Sequence, residues 1–358
     1  MLRLLTLNLQ HAQLGALAPA PAGPGADPRD PRAAREVLVA LAGQLAALGP
    51  DVIALQEVDL GQARSGRLNQ VAELASALGW THHRLAATYA GGVTGLRRRP
   101  RRSGLTRRGD DVLGPALAAA GRPLAGFGNA LISRYPVAAW HVRRLGRGPA
   151  LLTRHGGGAA GRGQLRAALD PRSYRLETST ARVLLAAQVS LPTGVLPGAG
   201  GLAVGSTHLA TRPDVAAAQL AGAWAALTRL PGPHALAGDL NLRPEEVRSL
   251  GVGRLLGEGP TYPADGPRYR IDQVLTDPWP LDAHGRPLVP GPRDAGGAGW
   301  SGVGGVVPGA AGAVPGVDGA PAGAPSPGVH LVARDWGSTT LLVSDHAATW
   351  VDLETVGA

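Results

Sequence analysis

Short runs of apolar residues, most of them closed by a polar or turn-forming residue, recur along the chain. Runs of this length without helical spacing are typical of buried β-strands. The first covers residues 2–7 and ends at Asn8, and the second covers residues 51–57 and ends at Glu57. The same pattern predicts further strands within 128–137 and at 182–189, 202–208, 235–238, 270–275, 328–333, 339–343 and 347–352.

Apolar positions at helical spacing predict three helices between these strands. The first begins at Pro31 and ends before Gly49, the second covers residues 68–78, and the third covers residues 213–227. The strands outnumber the helices and do not alternate with them one by one, which argues against a simple βαβ repeat. We therefore expect two packed β-sheets with helices on their outer faces.

Three stretches show neither short apolar runs typical of strands nor apolar positions at helical spacing. Residues 91–126 combine arginines with glycines, residues 146–168 are rich in Gly and Arg, and residues 280–328 consist mainly of Gly, Ala, Pro and Val. Segments of this composition cannot bury a core of their own. We expect one domain over residues 1–358, with flexible insertions at 91–126 and 280–328.

Composition and charge add one local feature to this picture. Hydrophobic residues make up 44% of the chain, which is ample for a large core, whereas aromatic residues make up only 4%. All 35 basic residues are arginines, and the formal net charge is +9. Seven of these arginines lie within residues 97–108 and leave a charge of +2 for the rest of the chain. This arginine cluster is either a docking element for an anion or a solvated loop.

Cysteine and long apolar runs are both absent from the sequence. The chain therefore has no disulfide and no thiolate metal site, and no run has the length that a membrane span requires. Residues 1–8 are too few and too strand-like for a signal peptide. We expect a cytoplasmic protein.

Polar side chains that can bind metals or move protons follow the predicted strands. Asp239 and Asn241 come directly after the strand at 235–238, where a carboxylate and a carboxamide can hold a water molecule or a hard divalent cation. An ordinary turn is the alternative, because both residue types favour turns. Comparable side chains occur beside the other strands, namely Asn8, Glu57, His208, Asp272, Asp345 and His346. Strand ends held by a rigid sheet are common positions for catalytic residues.

Seven short blocks, in order along the chain, resemble the endonuclease/exonuclease/phosphatase superfamily of deoxyribonuclease I-like, metal-dependent phosphoesterases. They include Gly-Asp-Leu-Asn and Ser-Asp-His, and they occupy residues 6–9, 53–58, 128–134, 206–209, 238–241, 270–272 and 344–346. The resemblance implies an α+β fold, a four-layer αββα sandwich of two packed mixed β-sheets flanked by helices. It also implies an enzyme that hydrolyses phosphoester bonds with Mg²⁺, or with Mn²⁺, as its cofactor.

The resemblance further implies a metal site and a group that activates water. Glu57 is the expected principal Mg²⁺ ligand, with Asn8 and Asp345 as direct or water-mediated ligands. Asp239 is expected to orient or deprotonate the attacking water. Asn241 is expected to hydrogen-bond the phosphate or the water.

The remaining residues of the blocks are expected to contact the substrate. His346 would stabilise or protonate a phosphate oxygen, with Asp272 holding its ring in the required tautomer. His208 would hydrogen-bond another phosphate oxygen, and Asn129 would line the pocket. The arginine cluster lies outside the blocks and is an addition to the family pattern. If it lies at the mouth of the site, its arginines would bind substrate phosphates, namely Arg97, Arg98, Arg99, Arg101 and Arg102. The histidines that match no block are expected on the surface or in loops, namely His82, His83, His141 and His155.

The choice of substrate depends on features outside the shared catalytic residues. The arginine cluster favours a polyanion such as DNA or RNA, although the scarcity of aromatic residues argues against strong base stacking. We therefore expect a nuclease-like phosphodiesterase that acts on DNA or RNA, and the sequence indicates no protein partner. The alternatives are an enzyme acting on inositol phosphates, phospholipid headgroups or other small phosphate esters, and a non-catalytic relative that binds nucleic acid.

Overall fold

The computed structural model describes residues 1–16, 27–93, 100, 125–148, 181–288 and 329–357, and the backbone alone of residues 151–154 and 174–177. Its helices are α1 (Pro31–Ala47), α2 (Gln70–Ala77), α3 (Pro213–Leu227) and α4 (Pro244–Ser249). Its strands are β1 (Leu2–Asn8), β2 (Val52–Leu60), β3 (His82–Ala90), β4 (Gly126–Ser133), β5 (Val137–Gly146), β6 (Leu151–Arg154), β7 (Tyr174–Glu177), β8 (Arg182–Ser190), β9 (Gly201–His208), β10 (His234–Asp239), β11 (Arg254–Leu256), β12 (Asp272–Thr276), β13 (Val329–Thr339) and β14 (Ala348–Gly357).

The helices begin where the sequence supplies a cap or a proline. The Asp30 carboxylate accepts hydrogen bonds from the backbone N–H groups of Arg32 and Ala33, and Pro31 is the first residue of α1. Helix α3 begins at Pro213 and has the predicted bounds. The sequence placed the start of α2 at residue 68, but the Asn69 side chain caps it, so the helix begins at Gln70. Within the described residues, no helix has the length and apolar character needed to cross a membrane.

Twelve of the strands form two six-stranded sheets. Sheet 1 has the order β13-β14-β1-β2-β4-β3, and sheet 2 has the order β11-β12-β10-β9-β8-β5. Each sheet is mixed, because the parallel pairs β1–β2 and β9–β10 lie among antiparallel neighbours. Strands β6 and β7 form a separate two-stranded sheet.

Three hydrophobic layers hold the sheets and helices together. The middle layer joins the inner faces of the sheets, for example Leu4 and Val52 from sheet 1 with Val204 from sheet 2. One outer layer packs α1 and α2 on sheet 1, and the other packs α3 on sheet 2. The order is helix, sheet, sheet, helix, which confirms the predicted αββα sandwich.

Strand direction brings the polar residues of both sheets to one edge. Strands β9 and β10 are parallel, so their last residues, His208 and Asp239, lie side by side. Strand β12 runs antiparallel to β10, so its first residue, Asp272, pairs with Asp239. In sheet 1, Asn8 at the end of β1 pairs with Gln56 of β2. We call this edge of the sandwich the site edge.

Several sequence-based boundaries were wrong. The predicted strands at 328–333 and 339–343 are replaced by a single strand, β13, which has a bulge between Ala333 and Asp335 and stays paired with β14. Strands β3 and β5 were not predicted. His82 and His83 lie half-buried in β3, whereas His141 lies on β5 and is exposed on the surface, as expected. His155 and most of the insertions at 91–126 and 280–328 lie outside the described residues.

Candidate active site

Asp239 lies at the centre of the site edge and joins the two sheets. The Asn8 side chain donates a hydrogen bond from Nδ2 to Asp239 Oδ2 over 3.0 Å, and the backbone N–H of Asn241 donates to Asp239 Oδ1 over 3.0 Å. Asp239 is 2% exposed and Asn8 is also 2% exposed. Both oxygens of the carboxylate therefore have a fixed direction in a site that excludes most water.

The pKa of Asp239 rises to about 7, mainly because burial disfavours the charged form and because the charge of Asp272 is close. The charge of His346 and the hydrogen bonds from Asn8 and Asn241 oppose this rise. A carboxylate with a pKa near neutrality can accept a proton from water at the pH of most cells.

Glu57 is presented by a β-bulge and not, as the sequence predicted, by a strand end. The pairing of β2 with β4 shifts between Leu55 and Val58, so Gln56 and Glu57 stand opposite the single residue Asn129. Glu57 has a φ of +52°, a left-handed conformation that is uncommon outside glycine. Strand β2 continues to Leu60 beyond the bulge. Bulges of this kind redirect a side chain next to active sites, and this one turns Glu57 towards His208.

The pKa of Glu57 is raised because burial outweighs the nearby charges of Arg182 and His346 and a hydrogen bond from Asn8. Asp345 is close enough for its charge to raise that pKa further. Glu57, Asp345 and the Asn8 amide thus offer only oxygen atoms, the ligands that Mg²⁺ and Mn²⁺ prefer. A divalent cation among them would offset the charge that burial disfavours, so these residues fit such an ion.

His346 and Asp272 form an ion pair beside Asp239. His346 Nδ1 donates to Asp272 Oδ2 over 2.8 Å, and the other ring nitrogen, Nε2, lies 4.0 Å from Asp239 Oδ2. Burial lowers the pKa of His346, but the hydrogen bond and charge of Asp272, together with Asp239 and Asp345, outweigh it and raise the pKa to about 9. His346 is therefore protonated at neutral pH and has an Nε2–H group free to donate.

Metal-ligand atoms of Asp239, Asp272 and His346 all lie within 4.8 Å of one another. This trio could hold a metal only with a neutral imidazole, because a protonated ring nitrogen has no lone pair to offer. The raised pKa of His346 and its bond to Asp272 favour an acid–base role for the trio. The oxygen-rich set of Glu57, Asn8 and Asp345 is the better candidate for the ion.

His208 lies between the two other carboxylates of the site. Its Nε2 is 3.3 Å from Asp239 Oδ2 and its Nδ1 is 3.7 Å from Glu57 Oε1. Burial, followed by the charges of Arg182 and His346, lowers the pKa of His208 well below its ordinary value. Its imidazole is neutral at physiological pH, so these contacts are not ion pairs.

Asn241 and Asp345 are fixed by contacts between neighbouring loops. Asn241 has a φ of +51° and donates from Nδ2 to the carbonyl of Leu209 over 3.0 Å. The Asp345 backbone N–H donates to Gln10 Oε1 over 3.1 Å, while its side chain is 45% exposed. Asp345 is thus the most accessible carboxylate of the site.

Asn129 makes its side-chain contact outside this group, and the arginine cluster lies outside the described residues. Asn129 is 2% exposed and donates from Nδ2 to the carbonyl of Val183 over 2.8 Å, which ties sheet 1 to sheet 2. The predicted phosphate-binding arginines all lie outside the described residues, namely Arg97, Arg98, Arg99, Arg101 and Arg102.

Four residues that the sequence analysis overlooked also belong to the site. The Tyr262 ring stands 4.8 Å from the His346 ring, and Thr261 Oγ1 accepts the backbone N–H of Asp272 over 3.2 Å. Ser344 Oγ donates to the Asn8 carbonyl over 2.6 Å and accepts the His346 N–H over 3.0 Å. Arg182, the first residue of β8, influences the pKa of both Glu57 and His208. Only Ser344 carried a sequence signal, since it is part of the Ser-Asp-His block.

Comparison with known proteins supplies a family match. The sequence model of the Endonuclease/Exonuclease/phosphatase family matches residues 5–346. No curated protein sequence matches the chain.

Solved structures with a similar backbone cover nearly all of the chain at low sequence identity. An endonuclease/exonuclease/phosphatase from Beutenbergia cavernae is 19% identical, with a TM-score of 0.47 over 98% of this chain and 71% of that one. A mannosyl-6-phosphatase from Bacteroides thetaiotaomicron is 11% identical, with a TM-score of 0.48 over 99% of each chain. TDP2 of D. rerio, solved with a single-strand DNA product, is 13% identical, with a TM-score of 0.44 over 98% of each chain.

Proposed function

This chain belongs to the Endonuclease/Exonuclease/phosphatase family and is a hydrolase of phosphoester bonds, and from that premise we propose that it is a Mg²⁺-dependent phosphodiesterase acting on nucleic acid. The observation that carries the chemistry is the juxtaposition of a carboxylate with a pKa of about 7 and an imidazolium with a pKa of about 9. Between those two values one group can accept a proton while the other donates one.

The proposed reaction is an in-line attack of water on phosphorus. Asp239 accepts a proton from the attacking water, while the Asn8 amide and the Asn241 N–H hold its carboxylate in place. As the bond between phosphorus and the leaving oxygen breaks, His346 gives its Nε2 proton to that leaving oxygen. Asp272 keeps that proton on Nε2 by accepting from Nδ1.

Glu57, Asn8 and Asp345 would hold the divalent cation, which supplies charge neutralisation at the phosphoryl oxygens when bound. Neutral His208, between Glu57 and Asp239, can donate one hydrogen bond to a phosphoryl oxygen without adding charge. Exclusion of water from this buried edge strengthens each of these contacts.

The preference for nucleic acid is supported by the place where the arginine-rich segment is attached. Residue Ala90, the last of β3, pairs with Gly126, the first of β4, so the intervening segment leaves and re-enters sheet 1 at one point. That point lies on the site edge, because β4 pairs with β2 beside the bulge at Glu57. A segment that contains seven arginines and is attached beside a phosphoesterase site favours a polyanionic substrate over a small ester.

Parallel assays of purified protein test the proposal. Mg²⁺-dependent hydrolysis of plasmid DNA, single-stranded RNA, inositol phosphates and bis(p-nitrophenyl) phosphate would be measured for wild type, Asp239→Asn and Asp335→Asn. Asp335 is an exposed carboxylate on β13 outside the site and serves as the matched control.

We expect cleavage of nucleic acid by wild type and Asp335→Asn, with a fall of roughly 10²-fold to 10⁴-fold in Asp239→Asn. Turnover restricted to inositol phosphates and the small diester would show that the substrate is a small phosphate ester and not nucleic acid. Binding of nucleic acid without any hydrolysis would contradict the catalytic proposal itself.

A further inference from the structure

Resting on the proposed metal-dependent chemistry, we propose that Gln10 is a positioning residue that holds Asp345 in place for the divalent cation. Gln10 lies two residues after Asn8, the last residue of β1. Its side-chain oxygen, Oε1, accepts the backbone N–H of Asp345 over 3.1 Å, although the two residues are 335 positions apart in the chain. This contact joins the end of β1 directly to the loop that carries Asp345.

Gln10 stands in a strained turn that consists of Gln10, His11 and Ala12. These three residues have φ values of +45°, +50° and +61°. The left-handed conformation is unfavourable for residues with a Cβ atom and normally occurs at single positions, not at three in succession. Strain of this kind persists only where the surrounding contacts outweigh it, and it is concentrated at functional sites. The contacts of the turn therefore indicate what it supports.

Two further contacts tie this turn to the segments that carry the other candidate ligands. Asn8 Oδ1 accepts the backbone N–H of Gln10 over 3.1 Å. The Gln70 side chain donates to the His11 carbonyl over 2.7 Å and accepts the backbone N–H of Asp59 over 2.8 Å. Asp59 lies in β2 just beyond the bulge that presents the expected principal ligand. The turn is thus hydrogen-bonded to all three segments from which the candidate metal ligands project.

Asp345 is the candidate ligand that depends most on such support. Its side chain is 45% exposed, so packing restrains it less than it restrains the buried Asn8. Its N–H donates to Gln10 Oε1, and its carbonyl accepts the N–H of Ala264 over 2.7 Å. The second contact is made by backbone alone, whereas the first depends on one side chain. Loss of a hydrogen bond behind a metal ligand lowers metal affinity by roughly 10-fold to 100-fold.

Gln44 provides a matched contrast on the same segment. Its Oε1 accepts the backbone N–H of Leu342 over 2.9 Å, three residues before Asp345. The hydrogen bond is of the same kind, but it ties the segment to α1 and not to a residue that follows a candidate ligand. Removal of the Gln44 side chain therefore reports what the loss of a comparable bond does to this segment in general.

The test measures the Mn²⁺ affinity of the full-length protein by titration calorimetry, for wild type, Gln10→Ala, Gln10→Asn, Gln10→Glu and Gln44→Ala. The Kd should rise by about 10-fold or more in Gln10→Ala and in Gln10→Asn. Asparagine tolerates the left-handed conformation, so that variant keeps the turn while its side chain is too short to reach Asp345. Gln10→Glu keeps the acceptor and should bind Mn²⁺ at least as tightly as wild type, and Gln44→Ala should bind it equally well.

Hydrolysis of bis(p-nitrophenyl) phosphate gives a second readout. The Mg²⁺ concentration for half-maximal rate should rise by about 10-fold in Gln10→Ala, whereas kcat at saturating Mg²⁺ should change little. The proposal is overturned if wild type does not bind Mn²⁺, if Gln10→Ala and Gln10→Asn bind it as wild type does, if Gln10→Glu is as weak as Gln10→Ala, or if Gln44→Ala loses affinity equally. A wild type that hydrolyses no phosphodiester, but whose Mn²⁺ affinity depends on Gln10, would refute the proposed function and leave the role of Gln10 standing.

Discussion

At the scale of single residues, the candidate site depends on how burial and neighbouring charges set the protonation of its acids and bases. Asp239 and His346 are both buried, yet burial raises the pKa of the first, whereas carboxylates around the second raise its pKa against the effect of burial. The result is a base and an acid whose working ranges overlap between about pH 7 and about pH 9. Activity should therefore rise as Asp239 loses its proton and fall as His346 loses its own.

Replacement of Asp272 by Asn should shift the alkaline limb of that profile. The substitution removes the charge of Asp272 and leaves only a weaker amide acceptor for Nδ1, so the pKa of His346 falls and the ring loses its proton at a lower pH. The fall of activity with rising pH should begin roughly 1–3 pH units earlier, and kcat should drop as well. The measurement is kcat/KM for a small phosphodiester between pH 6 and pH 10.

A second buried histidine–carboxylate pair supplies the control for this change. His234 Nδ1 lies 2.8 Å from Asp277 Oδ1, as close as His346 lies to Asp272, but at the opposite end of β10. Asp277→Asn should reduce stability and leave the pH profile of kcat/KM unchanged. A profile that moves equally in both variants would contradict the acid role of His346.

Replacement of Glu57 by Gln should separate metal binding from folding. Burial disfavours the charged form of Glu57 in the metal-free protein, so a neutral Gln should leave the Tm without metal unchanged or raise it. The affinity for Mn²⁺, measured by titration calorimetry, should fall by more than about 10-fold. Glu73→Gln, which removes an exposed ion pair with Arg35, should leave the metal affinity intact.

At the scale of secondary-structure elements, close contacts between strands position these side chains. Gly238 immediately precedes Asp239 and has a φ of +150°. A Cβ atom at this position would stand 1.9 Å from the Thr207 carbonyl oxygen on β9. Glycine therefore permits β9 and β10 to pair closely at the point where they deliver His208 and Asp239.

The substitution Gly238→Ala should consequently lower both stability and activity. Forcing β9 and β10 apart should reduce the free energy of unfolding by about 1–3 kcal/mol, and displacing Asp239 by ~1 Å can lower kcat by ~10²-fold. Denaturant unfolding and kcat measure the two effects. Gly222→Ala in α3 is the control, since a Cβ there meets nothing within 4 Å and alanine should add about 0.5–1 kcal/mol.

At the scale of the whole molecule, the two paired sheets fix the points at which the long segments of the chain are attached. The arginine-rich segment between β3 and β4 begins and ends at the site edge, as does the segment between Gly146 of β5 and Arg182 of β8. The Gly/Pro-rich segment before β13 ends at the opposite edge, because Val329 pairs with Gly357 at the far end of β14. Only the first two segments are attached where a substrate would enter.

Replacement of the seven arginines at 97–108 by serine should weaken nucleic-acid binding and its dependence on salt. Each lost phosphate contact should reduce the slope of log K against log salt concentration by about 0.9 for duplex DNA. Fluorescence anisotropy over a salt series measures the slope. Hydrolysis of bis(p-nitrophenyl) phosphate should be unchanged, because the substitution leaves Asp239 and His346 in place. An unchanged slope would show that the cluster does not contact the nucleic acid.

The sequence determined those features that depend on local pattern. Prolines at the first helical positions and apolar spacing identified α1 and α3, since a helix is specified mainly within its own turns. The polar residues beside the strands were also visible, because apolar runs mark where each strand reaches the edge of its sheet. Local pattern was insufficient for β13, where pairing with β14 carries the strand across a bulge that the sequence suggested was a break.

Tertiary structure alone decided how those residues act together. Asn8 reaches Asp239 across two sheets, and Asp272 reaches His346 across 74 residues. The bulge that turns Glu57 inward likewise arises from strand pairing and not from neighbours in the chain. Protonation and metal preference depend on burial and on charges a few ångströms away. Those distances exist only once the two sheets have packed. The sequence could therefore indicate the residues of the site but not their protonation states or their preference for a metal.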